Sequence, residues 1–137
     1  MVLGGVYQHC KLVEAAKELG VITYVTDYLP VEQAPAKTPA DKYYMYNISD
    51  IDSIAELCKR EAIDGGIATS LDACQRPYQA ICEKLGLPCF GTAEQYRILT
   101  DKNAFKEQCV KSGLDIIPEY RAEDLAVKQF AIRMRRQ

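Results

Sequence analysis

The sequence has few of the residues from which metal sites and membrane spans are built. Its 137 residues include a single histidine, His9, and none of the six cysteines belongs to a CxxC pair. Because zinc sites draw on clustered cysteine and histidine ligands, we expect no metal site. No run of about 18 apolar residues occurs, so the sequence predicts no membrane-spanning helix.

Neither positive nor negative charge is in large excess. The chain carries 17 Lys and Arg residues against 19 Asp and Glu residues, for a net charge of -2. Proteins that bind nucleic acid or anionic membranes usually display a basic surface. We therefore predict neither nucleic acid nor membrane as a partner.

A secretory leader is not recognised at the start of the sequence. The apolar stretch of residues 1–6 is too short for the core of a signal peptide, and the polar residues Gln8, His9 and Lys11 follow it. Disulfide bonds belong mostly to secreted proteins. We therefore expect a cytoplasmic protein with reduced thiols.

Short β-type runs alternate with segments of helical spacing along the chain. With 48% hydrophobic and 26% charged residues, the composition fits one globular domain. The predicted strands are residues 1–3, 21–26, 42–46, 64–69 and 88–91, with another starting at 116–120. The first and last predicted helices are residues 8–19 and 101–111. Between them we predict a helix capped by Ser49 or Asp50 and reaching 58, one that opens at Ser70 or Asp72 and ends at Gly86, and one from Thr92 or Ala93 to 99. Short connections between alternating strands and helices predict an α/β fold, a Rossmann-like parallel sheet with flanking helices, followed by a short helical extension.

Ligands of such sheets bind at the carboxyl ends of the strands. Gly4 and Gly5 follow the first strand and lead into a helix N-terminus, which can receive an anion. Asp27 lies 22 residues after Gly5, close to where a dinucleotide site places its ribose-binding acid. The third glycine of that motif is missing, so an oxidoreductase is kept only as a third hypothesis. A tight turn and an acid that closes a strand explain these residues equally well.

The segment after the strand at 64–69 combines several chemically useful side chains. Asp72, Gln75 and Arg76 bring together an acid, an amide and a guanidinium, and Arg76 suits a carboxylate or phosphate. In the alternative interpretation Asp72 caps the helix and Arg76 is solvated or pairs with it. Cys74 would need a neighbouring base to act as a nucleophile, and no spacing connects it to His9.

Seven short segments follow one another along the chain: Gly4-Gly5, YVTD at 24–27, ADK at 40–42, CQRPY at 74–78, LGLPCFGT at 85–92, DKNAFK at 101–106 and IPEY at 117–120. In this order they resemble the beginning of an ATP-grasp ligase of the carbamoyl-phosphate-synthase-like group.

The resemblance implies a preATP-grasp domain at 1–91 and a helical linker and start of the ATP-grasp domain at 92–120. The rest of the chain, 121–137, is predicted from its own pattern to be a basic amphipathic tail. Such enzymes use ATP and Mg²⁺ to convert a carboxylate into an acylphosphate that an amine attacks. By resemblance, Lys102 would contact the phosphates of ATP, and the Gly4-Gly5 turn would face the substrate. Asp27, Asp72, Gln75 and Arg76 are added as candidate substrate-binding residues because they follow predicted strands. No catalytic residue and no metal ligand is assigned.

The sequence after Tyr120 departs from that family. The lysine-bearing strand, the glycine-rich phosphate loop and the acidic magnesium ligands are missing. We therefore expect a truncated ligase that is inactive alone and binds neither ATP nor Mg²⁺ tightly. The alternative hypothesis is a stand-alone module that binds a small ligand or serves assembly.

The last 17 residues form a basic segment. Helical spacing relates four apolar residues: Val127, Phe130, Ala131 and Met134. The segment contains five basic and two acidic residues. This amphipathic helix could cover the surface left by the missing domain, within one chain or across a homodimer. A solvated, charged end is the alternative.

Overall fold

The computed structural model describes residues 1–67 and 71–118. Three strands form its sheet: β1 (Val2–Leu3), β2 (Tyr24–Thr26) and β3 (Lys42–Tyr44). The α-helices are α1 (Gln8–Glu18), α2 (Ile51–Arg60), α3 (Asp72–Leu85), α4 (Ala93–Thr100) and α5 (Lys102–Lys111), and a 3-10 turn spans Pro35–Lys37.

The sheet is parallel. Val2 pairs with Val25, and Val25 pairs with Tyr43, so β2 lies between β1 and β3. On the other side of β1, Ile67 forms a parallel bridge with Val2. The resulting order, β3-β2-β1-Ile67, places the change of direction next to β1, where open α/β sheets bind their ligands. The predicted Rossmann-like α/β fold is confirmed.

Apolar side chains cover both faces of the sheet, as the alternation along a strand requires. Val2 and Val25 pack with Val13 of α1. Leu3 faces the opposite side and belongs to a second cluster with α2, α3 and α4. Its buried members are Leu3, Ile54, Cys58, Cys74, Tyr78, Ile81, Cys82 and Tyr96.

Helices α4 and α5 form the predicted helical extension and begin at local caps. Thr92 and Gln95 make a capping box at the start of α4. The carboxylate of Asp101 accepts the main-chain N–H groups of Asn103 and Ala104 at the start of α5. Of α5, only Ala104 is fully buried.

The predicted strand at 88–91 is wrong. These residues have no regular structure, because the chain turns back after α3, where Leu87 N–H bonds to the carbonyl of Cys82 at 2.9 Å. Of the apolar residues that suggested a strand, Cys89 is half-buried against the cluster that contains Tyr78, and the ring of Phe90 is 75% exposed and lies 5.8 Å from that of Tyr78.

Three other strands are shorter than predicted. In the strand predicted at 64–69, residues 64–66 have no regular structure and Ile67 forms a single bridge. The strand predicted at 21–26 covers only Tyr24–Thr26, since Val21 and Ile22 are exposed and Thr23 bonds to a side chain. The strand predicted at 42–46 ends at Tyr44. Residues 116–118 form no strand, and residues 68–69, 119–120 and the tail at 121–137 lie outside the described residues.

Candidate functional site

The turn after β1 is closed by packing. Gly4 has a φ of +88°, and a Cβ there would lie 3.0 Å from Cδ1 of Leu71 and 3.3 Å from Sγ of Cys74. A Cβ on Gly5 would lie 2.5 Å from Cβ of Ala34. Both glycines therefore lie where the sequence predicted, at the carboxyl end of β1: the positive φ and close packing require Gly4, and close packing requires Gly5.

Asp27 joins this turn to the one after β2. Its carboxylate is 8% exposed and accepts the N–H of Gly5 through Oδ2 at 2.7 Å. Oδ1 accepts the N–H of Leu29 at 2.9 Å. Because each oxygen already has a main-chain donor, the geometry favours an acid that closes the strand over one that binds a ribose.

Lys37 is a component of this region that the sequence did not reveal. Its side chain is 1% exposed, and Nζ donates to the carbonyl oxygens of Asp27, at 2.8 Å, and Leu29. Burial lowers the pKa of Lys37, while the charge of Asp27 acts in the opposite direction. Three prolines at 30–39 suggested an ordinary loop there. The sequence indication that this segment packs closely is its small residues Ala34 and Ala36, which are both buried.

His9 and Cys74 lie on the same side of Gly4. His9 is fully buried and donates from Nδ1 to the carbonyl of Gly4 at 2.7 Å. A Cβ built on Gly4 would lie 3.8 Å from Cε1 of His9 and 3.3 Å from Sγ of Cys74. Burial, with a smaller contribution from the charge of Asp27, raises the pKa of the Cys74 thiol. The site therefore favours the neutral thiol over a nucleophilic thiolate.

The α3 residues predicted to bind substrate lie on another face. Asp72 and Arg76 are four residues apart and exposed, whereas Cys74 between them is buried against Gly4. Residues two apart on a helix point in nearly opposite directions. Asp72 and Arg76 therefore project away from the Gly4-Gly5 turn, and Gln75 lies half-buried between the two directions.

The idea that Asp72 caps α3 is wrong. The residue at the cap position is Leu71, which provides no side-chain hydrogen bond, and Asp72 is in the first turn. Arg76 lines a groove of about 340 Å³ between α2, α3 and the start of α4. Its other lining residues are Ser49, Ile51, Pro77, Gln79, Ala80 and Ala93.

Lys102 is exposed at the first position of α5. Main-chain N–H groups of Ala104 and Asn103 lower the pKa of the neighbouring Asp101, and the charges of Arg97 and Arg76 add to this effect. Arg76 and Lys102 are thus near the same carboxylate, that of Asp101. No spacing in the sequence indicated that α3 and the start of α5 would be related in this way.

Neither a metal centre nor a membrane span is found in the described part of the chain. Residues 1–67 and 71–118 contain no group of three or more His, Cys, Asp or Glu side chains that could hold a metal ion. Within the same ranges, no helix combines the length and the apolar character needed to cross a bilayer.

Comparison with known proteins finds the same fold in solved structures. No protein-family model matches the sequence, and no curated protein matches it significantly. A phosphoribosylglycinamide synthetase from Anaerococcus prevotii is similar with a TM-score of 0.71 and 26% identity, over 97% of this chain and 33% of that one.

Two further structures show the same similarity. N5-carboxyaminoimidazole synthetase from Staphylococcus aureus, complexed with ADP, has a TM-score of 0.70 at 18% identity, over 96% of this chain and 34% of its own. An L-amino acid ligase from Bacillus licheniformis has a TM-score of 0.70 at 13% identity, over 90% and 33%.

These proteins are ATP-grasp ligases, and the similarity is to their N-terminal part. The chain spans about a third of the length of each of the three structures. The resemblance to the beginning of an ATP-grasp ligase is therefore confirmed at the level of the fold.

Proposed function

We propose that the chain forms the N-terminal, preATP-grasp part of an ATP-dependent carboxylate-amine ligase. The observation that carries this proposal is the similarity of fold, over 90% of this chain at a TM-score of 0.70, to an L-amino acid ligase. The finer assignment, carbamoyl-phosphate-synthase-like chemistry through an acylphosphate, rests on the order of the LGLPCFGT and DKNAFK segments in the sequence.

The proposed substrate surface is the Gly4-Gly5 turn, which Asp27 holds through the N–H of Gly5. Asp72, Gln75 and Arg76 of α3 form a separate candidate surface for the substrate, because Asp72 and Arg76 project away from that turn. Arg76 is the cation of this group and suits an anionic substrate, because a guanidinium binds carboxylate or phosphate in a bidentate manner.

Lys102 is the proposed contact with the phosphates of ATP. It makes no hydrogen bond or ion pair with residues 1–67 or 71–118, and a cation in the first turn of a helix is disfavoured by the helix dipole. A lysine there is therefore available to an anionic ligand. That the S. aureus synthetase was solved with ADP supports a nucleotide as this ligand.

The described residues do not fit a complete site for magnesium and ATP. One lysine provides only one of the contacts that a nucleotide site needs. Within the described ranges, no cluster of carboxylates could bind Mg²⁺. We therefore propose that these 137 residues do not complete the ligation alone and do not bind ATP tightly.

Calorimetric titration of the pure chain with magnesium and ATP tests this proposal. We expect weak binding that Lys102→Ala abolishes and that Lys111→Ala, at the opposite end of α5, leaves unchanged. Equal binding by both variants would overturn the role of Lys102. Steady ATP hydrolysis by the pure chain would overturn the inactivity of the isolated part.

A second candidate function is assembly, including a homodimer through the helical extension. It is favoured by the exposed apolar side chains of Leu99, Val110 and Ile117, which are 66%, 57% and 81% exposed. Sedimentation of the chain across a range of concentrations separates the two functions. A dimer that Val110→Asp dissociates, without nucleotide binding by either form, would favour assembly.

A further inference from the structure

Lys37 is unusual because its charged end is inside the protein. Lysines are rarely fully buried unless the ammonium is paired, since removing a charge from water is unfavourable. Lys37 is 1% exposed, and the carbonyls of Asp27 and Leu29 accept hydrogen bonds from its Nζ. The ring centre of Tyr43 lies 5.6 Å from the same nitrogen.

These contacts hold the turn after β2 from both ends. Nζ binds the carbonyls of the first and last residues of the turn at 27–29, while the Asp27 carboxylate accepts the N–H of Leu29 inside it. The same carboxylate accepts the N–H of Gly5. A chain of bonds therefore runs from Lys37 through this turn to the turn after β1.

The 3-10 turn Pro35–Lys37 supplies a second connection to the same place. The N–H of Ala36 donates to the carbonyl of Gly5 at 3.0 Å, and Cβ of Ala34 blocks any side chain at Gly5. Gly5 is thereby held through its N–H, its carbonyl and its Cα. The Lys37 ammonium donates to two carbonyls at once, so an apolar side chain at 37 would leave the buried carbonyl of Asp27 and the partly buried carbonyl of Leu29 without this donor.

We propose that Lys37 is the positioning residue of the Gly4-Gly5 turn: its ammonium fixes the turn at 27–29 in the form in which Asp27 holds Gly5. The proposal rests on the proposed function only in taking the Gly4-Gly5 turn as the substrate surface. Lys37 acts through Asp27 and touches no substrate.

Amide hydrogen exchange by NMR of the full chain tests this directly. In Lys37→Met, which keeps the length of the side chain, we expect the amides of Gly5 and Leu29 to exchange about 30-fold faster relative to the core amide of Leu57. Lys17→Met is the matched control, since Lys17 is an exposed lysine that donates to the carbonyl of Pro39. It should change that ratio by less than about threefold.

The ratio to Leu57 separates positioning from general stability. If Lys37→Met speeds exchange at Gly5, Leu29 and Leu57 by the same factor, Lys37 only stabilises the fold and the proposal is overturned. An unchanged ratio overturns it as well. Nucleotide plays no part in this measurement, so failure of ATP binding and failure of the positioning role are distinguishable.

Alkaline titration gives a second readout that a purely structural residue would not move. The groups facing Nζ are Asp27, directly after β2, and Tyr43 on β3, and Asp41 and Lys42 line the adjacent groove. We expect the amide signals of Gly5 and Leu29 to shift together at one pH below 10.5, the ordinary value for lysine. Loss of this common shift in Lys37→Met supports the proposal, and its persistence overturns it.

Discussion

In the sheet layer, polar side chains such as Asp27 and Asp41 bind groups far along the chain, whereas those of α4 and α5 bind groups two to four residues away. In the layer, Asp27 holds the N–H of Gly5, 22 residues distant, and Asp41 holds Thr23, 18 residues distant. In the extension, Gln95 bonds to Thr92 and Arg97 to Glu94. The layer therefore needs its tertiary structure to make its polar contacts, and the extension does not.

This difference has consequences for how the two parts unfold. Bonds between distant residues form only after long loops have closed, so they should break together when the layer unfolds. The extension joins the core mainly through Tyr96, which is 7% exposed and packs edge-on against Tyr78 with ring centres 6.3 Å apart. Its two helices should therefore be able to detach while the layer stays folded.

Tyr96→Ala should have the largest effect and separate the two parts. Removing a buried aromatic ring costs about 3–4 kcal/mol, and here the loss falls on the contact between α4 and α3. We expect hydrogen exchange measured by mass spectrometry to rise across residues 93–111 and to stay slow across 1–26. Phe105→Ala, a half-exposed ring on α5, is the control and should leave both regions unchanged. Equal acceleration of both regions by Tyr96→Ala would show that layer and extension unfold as one unit.

Gly5→Ala should weaken the layer without touching the extension. The added methyl group would lie 2.5 Å from Cβ of Ala34, so the segment that carries Ala34 must move. Overpacking of this kind costs about 2 kcal/mol, measurable by urea unfolding followed by circular dichroism. Gly65→Ala is the matched control, because a Cβ there meets nothing within 4 Å. Equal stability of the two variants would mean that the segment carrying Ala34 moves to accept the added methyl group at little cost in free energy.

Much of the helical structure could be predicted because its signals are local. The cap at Asp101 and the capping box at Thr92 and Gln95 are sequence patterns, and both helices of the extension begin where those patterns place them. The parallel sheet was likewise predictable from the alternation of strands and helices. The false strand at 88–91 arose because an apolar run does not reveal whether it pairs with a strand or packs on a helix.

The contents of the candidate site could be predicted only in part. Gly4, Gly5 and Asp27 were found because they follow strands, and carboxyl ends of parallel strands meet at one edge of a sheet. Lys37 was missed because its partners lie 10 and 8 residues away and its burial depends on the tertiary fold. The sequence also grouped Arg76 with Gly4, although the turn of α3 directs Arg76 to a different face.

Thr92→Ala should have a smaller effect, confined to the extension. The hydroxyl of Thr92 accepts the N–H of Gln95 at 3.2 Å, and the loss of such a cap costs about 1 kcal/mol of helix stability. We expect faster hydrogen exchange in residues 93–96 and no change in residues 1–26. Thr100→Ala at the end of the same helix is the control. Acceleration within the layer would mean that the cap matters to the whole fold.

Asp41→Asn should have the smallest effect on stability at neutral pH. The pH dependence of that effect tests the contribution of the distant bonds between Asp41 and Thr23. The side chain and the N–H of Thr23 bind the Asp41 carboxylate, with Lys17 adding its charge, and together they hold the pKa of Asp41 well below its ordinary value of 3.8. A carboxylate with a depressed folded-state pKa stabilises the fold above the unfolded-state value and loses that contribution as pH falls through the folded-state value. Thermal melts should therefore place Asp41→Asn below the natural chain at about pH 6, with the two converging below about pH 4.

Asp101→Asn sharpens that comparison, because Asp101 also has a lowered pKa but owes it first to main-chain N–H groups two and three residues away. Suppose that the distant bonds belong to the cooperative layer and the local bonds to a helix that frays independently. Asp101→Asn should then alter the helical signal of α5 and leave the melting temperature of the layer unchanged at every pH. A melting curve for Asp101→Asn that follows that of Asp41→Asn would mean that the two parts melt together. The distinction between long-range and local polar contacts would then describe the geometry of the molecule without describing its cooperativity.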